Sequence, residues 1–205
     1  HELDMGVPGI GWVDLVFPIF IFCMGAAIPF AKPSIKGIFS RFGMLWLFSY
    51  LYVFIISSNN WVTLAGFAAL FPLYMVYKTP PRILGREINV PLIRCAGVLL
   101  VLAVIAVNHF CFGEAISVQR RGIIIFLLAF LYLFGSLIWH FTQENLRGRT
   151  AIFGLILAFT LVTQYKEWPT ITYANPNIRW WFNVEYFYFL LLLIPATYIG
   201  DLLKR

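Results

Sequence analysis

From Phe42 to Tyr77 the chain runs 36 residues without one charged side chain. At about 1.5 Å per residue, a single helix of that length overshoots a hydrocarbon core of about 30 Å. The run must fold back on itself. The polar group Ser57-Ser58-Asn59-Asn60 marks the hairpin tip and Trp61 an interfacial anchor, which predicts spans near 43–57 and 61–77.

The rest of the chain alternates in the same way. Seventeen uncharged residues, Leu15 to Ala31, are closed by Lys32, Pro33 and Lys36, and Lys32 to Arg41 reads as a basic connection. Lys78-Thr79-Pro80-Pro81-Arg82 and Arg86 form a second basic loop, broken by proline. A fourth span follows Arg94 to about Val107 and ends in Asn108-His109-Phe110. A fifth lies near 122–141, a sixth from about 150 to 165, and the last from roughly Glu185 to Gly200 with Pro195 inside it. The expected architecture is all-α: a polytopic transmembrane helix bundle of about seven spans, residues 1–205 forming one transmembrane domain. Composition agrees, since 61% hydrophobic and 12% charged residues leave too little polar surface to cover a water-soluble globule.

The net charge of +6 does not point to nucleic acid, because the 15 Lys and Arg are scattered in short flanks and form no continuous basic face. Alternating the spans puts Lys32, Lys36, Arg41, Lys78, Arg82, Arg86, Arg147, Arg149, Lys204 and Arg205 on one side. Arg120, Arg121, Lys166 and Arg179 fall on the other, and the ten-to-four asymmetry makes the first side cytoplasmic. Cys23, Cys95 and Cys111 sit in apolar runs without metal-ligand or disulfide spacing and read as core residues, so no metal is expected. Gly-rich phosphate loops, nucleophile elbows and paired carboxylates are absent.

Polar chemistry gathers toward the outer face. Asp14 is the sole acid in its apolar stretch, and Pro18 lacks the N–H that the Asp14 carbonyl, four residues earlier, would normally accept. Two acceptors then seek donors at one depth, which turns the carboxylate toward the bundle interior. The bland alternative is a first-turn acid favoured by the helix dipole. Asn59 and Asn60 of the hairpin tip also fall on the outer side, as do Asn108 and His109, which read either as a polar helix terminus or as lining residues. Arg94 is either a flanking cation or a phosphate ligand.

The opening reads as a pattern: His1, a short polar spacer, Pro8-Gly9-Ile10-Gly11-Trp12, then Asp14-Leu15-Val16-Phe17-Pro18, and Met24-Gly25-Ala26-Ala27-Ile28-Pro29. It resembles the heparan-alpha-glucosaminide N-acetyltransferase family, especially its bacterial relatives, whose second membrane helix opens with a similar motif. Ile194-Pro195-Ala196-Thr197-Tyr198-Ile199-Gly200-Asp201-Leu202-Leu203 is similar to a late segment of the bacterial members. The resemblance covers about residues 1–42 and 185–203. It implies a ten- or eleven-span domain of which this chain would be a piece, lacking the usual first helix.

It further implies a membrane acetyltransferase of the bacterial inner membrane, taking acetyl from cytoplasmic acetyl-CoA to a sugar amine or hydroxyl outside. His1 occupies the place of the family's proposed catalytic histidine, as general base or as carrier of the acetyl group itself, and Asp14 would orient its imidazole. Asn59, Asn60, Asn108 and His109 would meet acceptor hydroxyls. Arg41 looks like the family's arginine leading into the next helix, and with Arg82 and Arg94 would meet coenzyme phosphates. Membrane lipid and a sugar acceptor are the expected partners, and a homodimer stays open. The rival readings are a transporter binding solute at Asp14 and a non-catalytic membrane scaffold.

Overall fold

The computed structural model of the chain describes residues 12–77, 82–83, 86–87, 89–117, 122–169, 174–175 and 183–204. Seven helices dominate it: α1 (Trp12–Ala31), α2 (Ile35–Phe54), α3 (Asn60–Tyr77), α4 (Val90–Phe112), α5 (Ile123–Thr142), α6 (Leu146–Tyr165) and α7 (Leu190–Leu203). A single 3-10 turn, Val184–Phe187, leads into α7, and a two-residue antiparallel pairing joins Arg82–Ile83 to Arg86–Glu87 between α3 and α4.

Among the described residues, five stretches are long and apolar enough to cross a membrane: Ile35–Phe54, Cys95–Phe112, Ile123–Thr142, Leu146–Tyr165 and Val184–Leu203. Only 11% to 44% of each is buried within the chain, so most of their apolar side chains face outward. Lipid tolerates that arrangement and water does not. The chain has the make-up of an integral membrane protein.

The hairpin tip lies where the polar tetrad predicts it, α2 ending at Phe54 and α3 starting at Asn60. Three helix starts fall earlier than hydropathy suggests. Ser34 caps α2, its Oγ accepting from Gly37 N–H at 3.2 Å, so Lys36 and Arg41 belong to the helix and not to a basic loop. Asn89 caps α4, its side chain accepting from Leu92 N–H at 3.3 Å with Pro91 in the first turn, which places Arg94 inside the helix. Asn145 caps α6 by accepting from Gly148 N–H at 2.9 Å, so Arg147 and Arg149 are helical too. Capping residues, not the loss of charge, set these starts.

The ends are as specific. α1 stops at Lys32, whose φ of 40° is left-handed, and Pro33 follows immediately. α4 runs past Val107 to Phe112 because Gly113, at φ 67°, takes the left-handed position after the helix and returns its N–H to the Asn108 carbonyl. Pro18, Pro29 and Pro195 lie inside helices without ending them.

The chain divides into two compact units, residues 1–47 with 123–205 and residues 48–122. In the first, Ile21 and Ile28 of α1, Phe126, Leu127 and Leu131 of α5, and Leu190, Leu193 and Ile194 of α7 form the core. α1 and α7 make its most extensive contact. Small residues let the two backbones meet: a Cβ added to Gly25 would lie 2.5 Å from the Leu193 carbonyl oxygen, and one on Gly200 would be nearer still to that of Ala26. This is close packing of the small-residue kind that joins helices in lipid, where tails compete with side chains for apolar contact.

In the second unit Ile55, Val101 and Val104 form a smaller core, against which Phe48, Leu51, Val62 and Leu70 pack. Cys23, Cys95 and Cys111 are free and exposed, contrary to their expected place in the core. An apolar run in a lipid-facing helix carries cysteine on its outer face as readily as inside, so the run alone does not report burial.

Candidate functional site

The densest polar constellation closes one end of the first unit. Arg149, in the first turn of α6, is completely buried. Its Nη1 donates to Asp201 Oδ2 at 2.6 Å and to Thr197 Oγ1 at 3.2 Å; its Nε donates to Thr142 Oγ1 at 3.1 Å and Nη2 to the Thr142 carbonyl at 3.4 Å. The Tyr198 ring covers the guanidinium, 4.9 Å from its centroid. The other carboxylate oxygen, Asp201 Oδ1, accepts from Trp139 Nε1 at 3.2 Å. A guanidinium taken out of water is tolerated when its donors are this well satisfied. The arrangement ties α5, α6 and α7 at one level.

Beside it, Lys204 donates to the Pro29 carbonyl and lies 5.9 Å from the Trp139 ring centroid. Although its side chain is largely exposed, its pKa is held below the ordinary lysine value. Loss of water on the side facing the protein is the larger cause and the like charge of Lys32 the next, while Asp201 pulls the other way. These groups open into a recess of about 580 Å³ lined by Glu144, Leu146, Tyr198, Asp201, Leu202 and Lys204.

A second polar feature lies elsewhere in the same unit. Arg41, within α2, donates from Nη1 to Tyr132 Oη at 3.4 Å and lies 6.0 Å from that ring's centroid. One turn further along α5, Ser136 Oγ is buried without a hydrogen-bond partner among the described residues. Tyr132 and Ser136 share a helix face by their spacing of four, so an arginine, a phenol and an orphan hydroxyl mark one polar seam in otherwise apolar helices.

The other expected residues are distributed as follows. His1 lies outside the described residues. Asp14 stands in the first turn of α1, Arg82 in the short β pairing and Arg94 in α4, but their side chains lie outside the described residues. Asn59 Oδ1 accepts from Trp61 N–H at 2.9 Å and its carbonyl from Thr63 N–H at 3.0 Å, so it caps α3; Asn60 is exposed at that helix's first position. Asn108, 1% exposed, donates from Nδ2 to the Phe54 carbonyl at 2.9 Å, and its Oδ1 has no partner among the described residues. It lines a void of about 10 Å³, the size of one water. His109 is exposed, with Nδ1 3.0 Å from the Glu114 carbonyl oxygen. Asn108 and His109 therefore share one helix end, while Arg41 belongs to the other unit.

Sequence reading missed the Arg149–Asp201 pair, taking Arg149 for a flank cation. The available signal was Thr197 and Asp201 at a spacing of four, which makes a polar stripe on a helix that is otherwise apolar.

No curated protein and no solved structure matches the chain. The family model described as "Domain of unknown function (DUF5009)" matches residues 1–203, nearly the full length, and the chain belongs to that family.

Proposed function

We propose that the protein acts as a membrane acyltransferase of the bacterial inner membrane, moving acetyl from cytoplasmic acetyl-CoA to a sugar amine or hydroxyl on the outer side. The observation that carries the reading is Arg41. Arg41 is an exposed cation two turns into an apolar helix, and it is held on the Tyr132 hydroxyl one turn from the buried Ser136 Oγ. It also stands where the resemblance to the heparan-alpha-glucosaminide N-acetyltransferases expects an arginine. Anionic coenzyme phosphates suit that guanidinium, and Arg82 and Arg94 are the other cations this reading offers to them.

On this reading His1 takes the acceptor's proton as the acceptor's nitrogen or oxygen attacks the thioester carbonyl, and returns it to the departing thiolate. Asp14 holds the imidazole in the required tautomer and steadies its charged form. Asn59, Asn60, Asn108 and His109 belong to the end that meets the sugar.

Equilibrium binding of labelled acetyl-CoA to membranes containing the protein tests the reading. Arg41→Gln is expected to weaken binding about tenfold, the loss of one charge-assisted contact, and Arg41→Lys to recover part of it. Unchanged affinity in Arg41→Gln would remove Arg41 from the coenzyme site. Absence of saturable binding to the unaltered protein would turn the reading toward a transporter.

A further inference from the structure

The recess at the Arg149–Asp201 end has two chemically opposed walls. Glu144, in the turn between α5 and α6, and Asp201, near the end of α7, supply carboxylates; Lys204 supplies an ammonium, with Lys32 beside it. Glu144 makes no hydrogen bond among the described residues. The two Asp201 oxygens accept one bond each, from Trp139 and Arg149, which leaves each a second lone-pair direction. Gln143, Leu146 and Leu202 also line the recess; the two leucines are 44% and 65% exposed, and Leu203 next to them is 71% exposed. At about 580 Å³ the recess is of small-molecule size.

A purely anionic ligand would meet Glu144 and Asp201, and a purely cationic one would meet Lys204 and Lys32. A zwitterion satisfies both walls. The exposed leucines at the rim favour a ligand that continues into apolar chains, and the carboxylates favour an ammonium that still carries N–H donors over a quaternary one.

We propose that this recess holds the headgroup of a zwitterionic phospholipid with a primary ammonium, a phosphatidylethanolamine, its ammonium on Glu144 and Asp201 and its phosphate on Lys204. The proposal rests on the membrane reading of the chain. Arg149 then acts as a positioning residue, holding the Asp201 carboxylate at the floor of the recess, and the Tyr198 ring forms a side wall.

The test begins with carbonate extraction of membranes containing the protein. Release without detergent would contradict the membrane reading itself and the lipid proposal with it. Retained protein is then placed in nanodiscs of equal phosphatidylethanolamine, phosphatidylcholine and phosphatidylglycerol, extracted into mild detergent, and its retained lipid identified by native mass spectrometry. Phosphatidylethanolamine is expected to exceed each of the others about tenfold, the worth of one charge-assisted hydrogen bond. Glu144→Gln should bring the ratio close to one, because the ammonium contact is what separates the three headgroups, and Lys204→Gln should lower retention of all three lipids, whose phosphate is common, while Glu167→Gln, distant in the chain from the recess, should change neither. Lys204→Gln keeps a donor for the Pro29 carbonyl, so the variant retains that contact. Equal retention of the three lipids in the unaltered protein, a preference that survives Glu144→Gln, or retention unchanged in Lys204→Gln would overturn the proposal. So would saturable binding of free phosphoethanolamine by a protein that retains no phosphatidylethanolamine.

Discussion

Asp201→Ala is expected to destabilise the protein by about 3–5 kcal/mol, the usual cost of removing one partner from a buried ion pair. The size follows from asymmetry. Asp201 is 23% exposed, but Arg149 is wholly enclosed, so the variant leaves a guanidinium with no counter-charge and no route to water. Thr142, Thr197 and the Tyr198 ring can orient that cation but cannot neutralise it. For a chain of this length the loss corresponds to a fall of about 6–20 °C in the midpoint of thermal unfolding. Arg149→Met with Asp201→Asn removes both charges while keeping an acceptor for Trp139 Nε1, and it should recover most of the stability. Thermal unfolding in one detergent, read by near-ultraviolet circular dichroism, compares the three proteins. Equal loss in the single and double variants would show that the pair's packing, not its charge balance, holds the helices together.

Gly200→Val is expected to be comparably disruptive, to the point of separating α1 from α7. The first added carbon already collides with the Ala26 carbonyl oxygen and lies 2.9 Å from Pro29 Cγ, and the Ala26 contact is backbone, which cannot swing aside. Overpacking of a core typically costs 1–3 kcal/mol when side chains can adjust, and about 3 kcal/mol or more is expected where a helix must move. Gly25→Val should act alike against the Leu193 carbonyl. Gly43→Ala and Gly154→Ala are the controls: an added Cβ at either meets nothing within 4 Å, so each should hold or gain up to about 1 kcal/mol from helix propensity. The same unfolding measurement reads all four, and a Gly200→Val protein as stable as the controls would mean that the α1–α7 contact is looser than described.

What could be read from the sequence follows from how locally each feature is determined. The Ser57–Asn60 turn was legible because four polar residues in a long uncharged run have one physical outcome. Its capping detail, Asn59 Oδ1 on Trp61 N–H, is equally local. Helix starts were less legible, because a cation looks like a break to any hydropathy argument. Lys36 and Arg41 sit on a helix whose first turn is capped by Ser34, and long side chains of this kind reach for polar surroundings without unwinding the backbone. The end of α4 required recognition of Gly113 as a left-handed stop five residues beyond the polar Asn108.

The tertiary polar contacts were not legible. Arg149 and Asp201 lie 52 residues apart, and nothing in either neighbourhood distinguishes a buried pair from two interfacial charges. Arg41 was singled out by its likeness to a family residue, whereas its partner Tyr132 and the orphan hydroxyl of Ser136 come from the packing of α2 and α5. Asn108 shows the two levels together. Its polarity at a helix end was evident, but its engagement with the Phe54 carbonyl depends on how α2 and α4 meet.

The most direct test of the proposed function is transfer of labelled acetyl from acetyl-CoA to a panel of amino sugars and sialic-acid-like sugars by the protein in its native membranes, beside His1→Ala. The account predicts product with at least one acceptor and a loss of about 10²-fold or more in His1→Ala, the ordinary contribution of a general base. Full transfer by His1→Ala would contradict the assignment of His1, and the absence of transfer to any acceptor by a protein that binds acetyl-CoA would contradict the acyltransferase reading.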